Sequence, residues 1–112
     1  MAAWVPDASR FNGELWLAPA GHEADFRAAD PGAVAPALRR ALTAVKATIG
    51  GAALNFWLHT APADLRGPFH WHLEFAPRTA ALAGFELGTD IAVVTKAPEA
   101  AAAEYRTSLP PA

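Results

Sequence analysis

The residues best suited to chemistry lie in two short stretches. One runs Asn55-Phe56-Trp57-Leu58-His59, the other His70-Trp71-His72-Leu73-Glu74, and together they hold three of the chain's 4 histidines. A neutral imidazole ligates borderline metal ions and acts as nucleophile or base near neutral pH, and a nearby carboxylate can orient it. Two histidines at i and i+2 of a strand point to one side, with Cα atoms about 6–7 Å apart. From that spacing both rings can touch one ion at the usual zinc–nitrogen distance of about 2.0–2.1 Å. A His-x-His also arises by chance on a solvated polar strand face, so the pattern alone leaves both readings open. The remaining histidine, His22, follows Pro19 in a polar loop and reads as a surface or local structural residue.

Alternation supplies the elements that position these groups. Over residues 69–76, Phe69, Trp71, Leu73 and Phe75 share one face of a strand, and His70, His72 and Glu74 share the other. Over 53–59, Leu54, Phe56 and Leu58 are apolar, with Asn55, Trp57 and His59 opposite. If the two segments pair antiparallel, their apolar faces must meet the core together, and that burial constrains the register. The opposite faces then gather Asn55, His59, His70, His72 and Glu74. The cover for the apolar side is a helix. Asp30-Pro31 provides an N-cap oxygen and a residue already fixed near helical φ. Val34, Leu38, Ala41, Leu42, Val45 and Ile49 recur at helical spacing, and Gly50-Gly51 ends the run. This helix is expected to pack on Leu54, Phe56, Leu58, Trp71 and Leu73.

The rest is read more coarsely. Residues 1–13 form an irregular lead-in, 14–18 a short strand ending at Pro19, and 60–68 a loop with two prolines and a glycine. Residues 84–88 read as a turn or irregular stretch and 90–95 as a strand. Pro98-Glu99 opens a short alanine-rich helix that fades by Arg106, and Pro110-Pro111 forbids its continuation. The whole predicts one α+β domain over 1–112, a mostly antiparallel sheet with one long and one short helix.

Composition narrows the function classes. With 112 residues and 53% hydrophobic content the chain can build a core without staples. It has 0 cysteines, which excludes disulfides, thiolate metal sites and cysteine nucleophiles and makes a cytoplasmic setting the expectation. Net charge is −2 with no basic run, so no nucleic-acid polymer is expected as partner. No apolar stretch approaches a bilayer span, and the first residues do not read as a signal peptide.

The motifs resemble one family. The run Phe69-His70-Trp71-His72-Leu73-Glu74-Phe75-Ala76-Pro77-Arg78 is similar to the Phe-His-Trp-His-Ile-Glu-x-x-Pro-Arg segment of galactose-1-phosphate uridylyltransferases and their close relatives. Trp16 through His22 resembles their Trp-x-x-Pro-x-x-His. Asn55 through Pro62 resembles Tyr-Asn-x-x-x-His-x-Ala-Pro, and Ala83 through Thr89 resembles Ala-Gly-Phe-Glu-x-Gly-Thr. Pro98-Glu99 opens the last helix as in the family. The resemblance spans residues 8–106 and is to the C-terminal half of these two-half enzymes.

That resemblance implies a histidine-triad-like fold. It also implies a zinc or iron site, structural in role, at His59, His70 and His72, with a glutamate from the missing half as the fourth ligand; strand alternation places Glu74 and Asn55 behind the ligands. Glu86 and Phe85 would belong to a hexose site for a sugar phosphate or UDP-sugar. The nucleophilic His-Pro-His segment of the N-terminal half is absent from this chain, so no catalytic residue is expected here. The partner would be an N-terminal half or a second copy in a homodimer. The family's Gly, Tyr and Asn after the Gly-Thr pair are Asp90, Ala92 and Val94 here, a change that touches the hexose site. Two other readings remain. One is a stand-alone histidine-triad hydrolase with His72 as nucleophile, weakened because Glu74 stands where a third histidine would protonate the leaving group. The other is a non-catalytic binding or assembly module.

Overall fold

The computed structural model describes residues 1–109. Its four strands are β1 (Ala2–Trp4), β2 (Leu15–Ala18), β3 (Ala53–His59) and β4 (His72–Arg78). They form one antiparallel sheet in the order β1-β2-β4-β3. The helices are α1 (Pro31–Ile49), α2 (Gly84–Thr89) and α3 (Pro98–Ser108), with a single 3-10 turn at Phe26–Ala28. The α+β class and the antiparallel sheet are those expected from the sequence.

Helix α1 begins as its residues dictate. The Asp30 carboxylate accepts from the Gly32 N–H at 2.9 Å, and Pro31 takes the first helical position. Pro36 lies early in the helix and costs one backbone hydrogen bond there. Gly50 ends it at φ 61°, a conformation that favours glycine. Its inner face sets Ala41, Ala44 and Val45 against Leu15, Leu17, Leu73 and Phe75, with Trp71 and Tyr105 completing the core. Each large apolar side chain buried in this way contributes about 1.5–3 kcal/mol. The Tyr105 hydroxyl donates to the Gly13 carbonyl and ties α3 to the turn before β2.

The core is displaced from where alternation put it. Trp71 and Leu73 are covered as expected, but Phe56 is 50% exposed and Leu58 38% exposed. Strand β3 is the sheet edge beyond β4, and α1 packs over β2. With strands about 4.8 Å apart, one helix about 10 Å wide does not reach the outer strand.

Further corrections concern element boundaries. The lead-in is not wholly irregular, since β1 pairs Ala2 with Ala18 and Trp4 with Trp16. Strand β4 runs 72–78 and not 69–76. Residues 84–88 belong to helix α2, whose first turn is held by the Glu86 carboxylate accepting from the Ala83 N–H at 3.2 Å. The strand expected over 90–95 does not form: Ile91 and Val93 are 57% and 47% exposed, and Asn12 Oδ1 accepts from the Thr95 and Lys96 N–H groups instead. β-branched residues make a strand only where a neighbouring strand offers a ladder. Helix α3 extends to Ser108, and Pro110-Pro111 lies outside the described residues.

Candidate metal centre

The β3–β4 register builds the centre. Trp57 stands opposite Glu74 and His59 opposite His72, while β2 brings Trp16 opposite Glu74 from the other side. On this face His59 Nε2 lies 3.4 Å and His72 Nε2 3.3 Å from Glu74 Oε1. One donor atom from each of the three residues lies within 4.8 Å of the others. The His59 and His72 rings stack at 4.9 Å and 20°. Trp16 covers the other side of His72 at 4.7 Å and 17°. The ring of His72 is thus held between two planar neighbours.

Hydrogen bonding decides which atoms remain free. Glu74 is 4% exposed, so its carboxylate needs partners within the protein. Its Oε2 accepts from Trp57 Nε1 at 2.9 Å and from the Arg10 guanidinium. Its Oε1 faces only the two imidazoles. His72 Nδ1 lies 3.0 Å from the His70 carbonyl, which can only accept, so this nitrogen carries the ring proton. In the neutral ring Nε2 then bears a lone pair aimed at a carboxylate oxygen. Two acceptors in contact call for a cation between them or a second proton on the ring. Ligands about 2.0–2.1 Å from a tetrahedral ion are about 3.3–3.4 Å apart; both imidazoles stand at that separation from Oε1, and the three donor atoms together lie within 4.8 Å of one another. Two imidazoles and a carboxylate form a donor set of the kind that could hold a borderline divalent ion such as zinc or iron(II).

A second buried carboxylate supports the first. Glu14 is 1% exposed and accepts from the Arg10 N–H at 2.6 Å, the Arg10 guanidinium at 3.2 Å and Trp16 Nε1 at 2.7 Å. Burial works against the Arg10 charge, but Glu14 and Glu74 outweigh it and raise its pKa above the ordinary value.

The expected residues are distributed as follows. His59, His72 and Glu74 come together, Glu74 as a donor in its own right. His70 lies outside that group, exposed, with its ring 5.8 Å from His22. It precedes the first residue of β4, and its neighbour Trp71 is pinned to the loop after β2. The Trp71 backbone N–H and Nε1 donate to the Glu23 carbonyl and carboxylate, each at 3.0 Å. Asn55 is exposed opposite Ala76, four residues from His59, or roughly 13 Å along the strand. Phe85, 55% exposed, and Glu86, half-buried, are on α2. Sequence reasoning missed Arg10 and Glu14. Glu14-x-Trp16 carries the same i, i+2 signal that singled out His72-x-Glu74.

No family model matches the chain. ADP-glucose phosphorylase of Arabidopsis thaliana is 27% identical over 95 residues, covering 76% of this chain and 26% of that protein. The crystal structure of an ADP-glucose phosphorylase from the same plant, with bound ADP-glucose, aligns with TM-score 0.84 at 25% identity, over 93% of this chain and 36% of that one. A solved uridylyltransferase aligns with TM-score 0.79 at 27% identity, over 95% of this chain and 37% of that one. A Hit-like protein from Bartonella henselae shares the fold at TM-score 0.66 over 96% of this chain. The architecture is histidine-triad-like, and its neighbours over most of the chain are galactose-1-phosphate uridylyltransferase-like enzymes. The chain spans about a quarter to two fifths of the length of those enzymes. Among the described residues no helix is long and apolar enough to cross a membrane.

Proposed function

We propose that this chain acts as the C-terminal half of a hexose-1-phosphate nucleotidyltransferase-like enzyme of the cytoplasm. It supplies a structural metal site and part of the sugar-phosphate site to a partner half that carries the nucleophile. The observation that carries the reading is the convergence of His59, His72 and Glu74 on one point of a histidine-triad-like sheet. The ion is zinc or iron, with His59 Nε2, His72 Nε2 and Glu74 Oε1 as its donors. A bound ion would cross-link the edge strand β3 to β4. A fourth position is left for water or for a residue of the partner half, and His70 is the histidine of this chain nearest in sequence that could swing to it.

Glu86 and Phe85 are assigned to the hexose. The nucleotide is that of a UDP-sugar or, as the name of the plant relative has it, of ADP-glucose. His72 is poorly placed as a nucleophile, because its lone-pair nitrogen faces Glu74 and both faces of its ring are covered.

Intact-mass measurement after incubation with UDP-glucose or ADP-glucose tests the division of labour. The expected result is no nucleotidyl adduct on the isolated chain. An adduct that disappears in His72→Ala would overturn the reading in favour of a stand-alone hydrolase.

A further inference from the structure

We propose that Glu14 and Arg10 act as a positioning pair that presents Glu74 to the ion as a one-oxygen ligand. The inference rests on the metal reading above and adds how this chain tunes the site.

One guanidinium nitrogen, Arg10 Nη2, bonds both Glu14 Oε1 and Glu74 Oε2. Glu14 cannot turn away. Its other oxygen is taken by the Arg10 backbone N–H at 2.6 Å, and Oε1 also accepts from Trp16 Nε1 at 2.7 Å. The Arg10 head group lies 5.9 Å from the ring centroids of Phe11 and of Trp57, which adds cation–π attraction at the same place. Arg10 is thereby committed to the far oxygen of Glu74, and Trp57 Nε1 occupies that oxygen as well. Only Oε1 is free to ligate.

Two consequences follow for the ion. Calcium favours six to eight oxygens and often a bidentate carboxylate, which this Glu74 cannot give. Arg10 also balances one of the two buried carboxylates, so with neutral imidazoles the cluster keeps one negative charge for a divalent ion to meet. Were Glu14 uncharged, Arg10 would lose the charge-assisted bond that draws it away from Glu74. Its planar fork would close on both oxygens of Glu74 and compete with the ion for Oε1.

Glu14→Gln keeps the shape of the side chain and removes that hold. Zinc affinity of the full chain, read by competition with a chromophoric chelator, should fall about 10–100-fold. The visible bands of the cobalt(II) complex should change as well. Asp30→Ala, which removes the N-cap of α1 away from the site, should leave both readouts as in wild type. If Glu14→Gln does not fold, Arg10→Gln substitutes: it removes the charged nitrogen that holds the far oxygen of Glu74, and should weaken zinc by the same order. Wild-type zinc affinity in the folded variant overturns the inference, and so does an equal loss in Asp30→Ala. Absence of zinc binding by the wild-type chain overturns the metal reading and this inference with it.

Discussion

His59 and His72 are direct partners across the β3–β4 ladder, with rings stacked at 4.9 Å and both Nε2 atoms against one oxygen of Glu74. These groups bridge the edge strand to its inner neighbour, so an ion held by them, as proposed, would link metal binding to strand order. Adding zinc at 100 times its dissociation constant should stabilise the fold by about 2.7 kcal/mol. Thermal unfolding with and without zinc checks this, and His59→Ala should remove the difference.

The core lies over β2 and β4, so substitutions on the stacked pair Phe56 and Phe75 should differ sharply. Phe75 is 0% exposed, and Phe75→Ala should cost about 3–5 kcal/mol. Phe56 is 50% exposed, and Phe56→Ala should cost less than about 1.5 kcal/mol. Urea denaturation of the two variants measures both. Similar costs would mean that α1 covers β3 after all.

Much of this was legible in the sequence, and the limits have physical causes. Alternation placed Trp57, His59, His72 and Glu74 on one face because side chains alternate along both strands and residues paired across the ladder share a face. The direction of His70 was not legible, since it precedes the ladder and is set by Glu23 in a distant loop. Ile91 and Val93 looked like strand residues because propensity is local, whereas a strand needs a neighbour. Arg10 and Glu14 escaped notice because a buried carboxylate and a surface one read alike until the chain that covers them is known.

Tyr105 offers a pH dependence that can be followed directly. Burial, with a smaller effect from Glu104, pushes its pKa up to about 12 from an ordinary 10. A phenol with a raised folded-state pKa keeps its proton after the unfolded chain has lost it. Stability should therefore be full below pH 10 and fall between pH 10 and 12, by at most about 1.4 kcal/mol per pH unit. The chain has 1 tyrosine, so tyrosinate absorbance reports this group alone. In Tyr105→Phe this part of the slope should vanish. The lost bond to Gly13 should lower stability at neutral pH by about 1–3 kcal/mol.

Asp30 is the N-cap of α1 and the only side chain that holds its first turn among the described contacts. Asp30→Ala should lower stability by about 1 kcal/mol without altering zinc affinity, since the cap and the donor cluster share no residue. A chemical denaturation curve and a zinc titration on the same variant check the two halves of this statement.

Metal content of the chain, purified without a histidine tag, tests the central claim most directly. About one zinc or iron per chain is expected in wild type and in His70→Ala, and almost none in His72→Ala. A metal-free wild-type protein, or equal content in wild type and His72→Ala, would contradict it and leave His59, His72 and Glu74 as a hydrogen-bonded polar face.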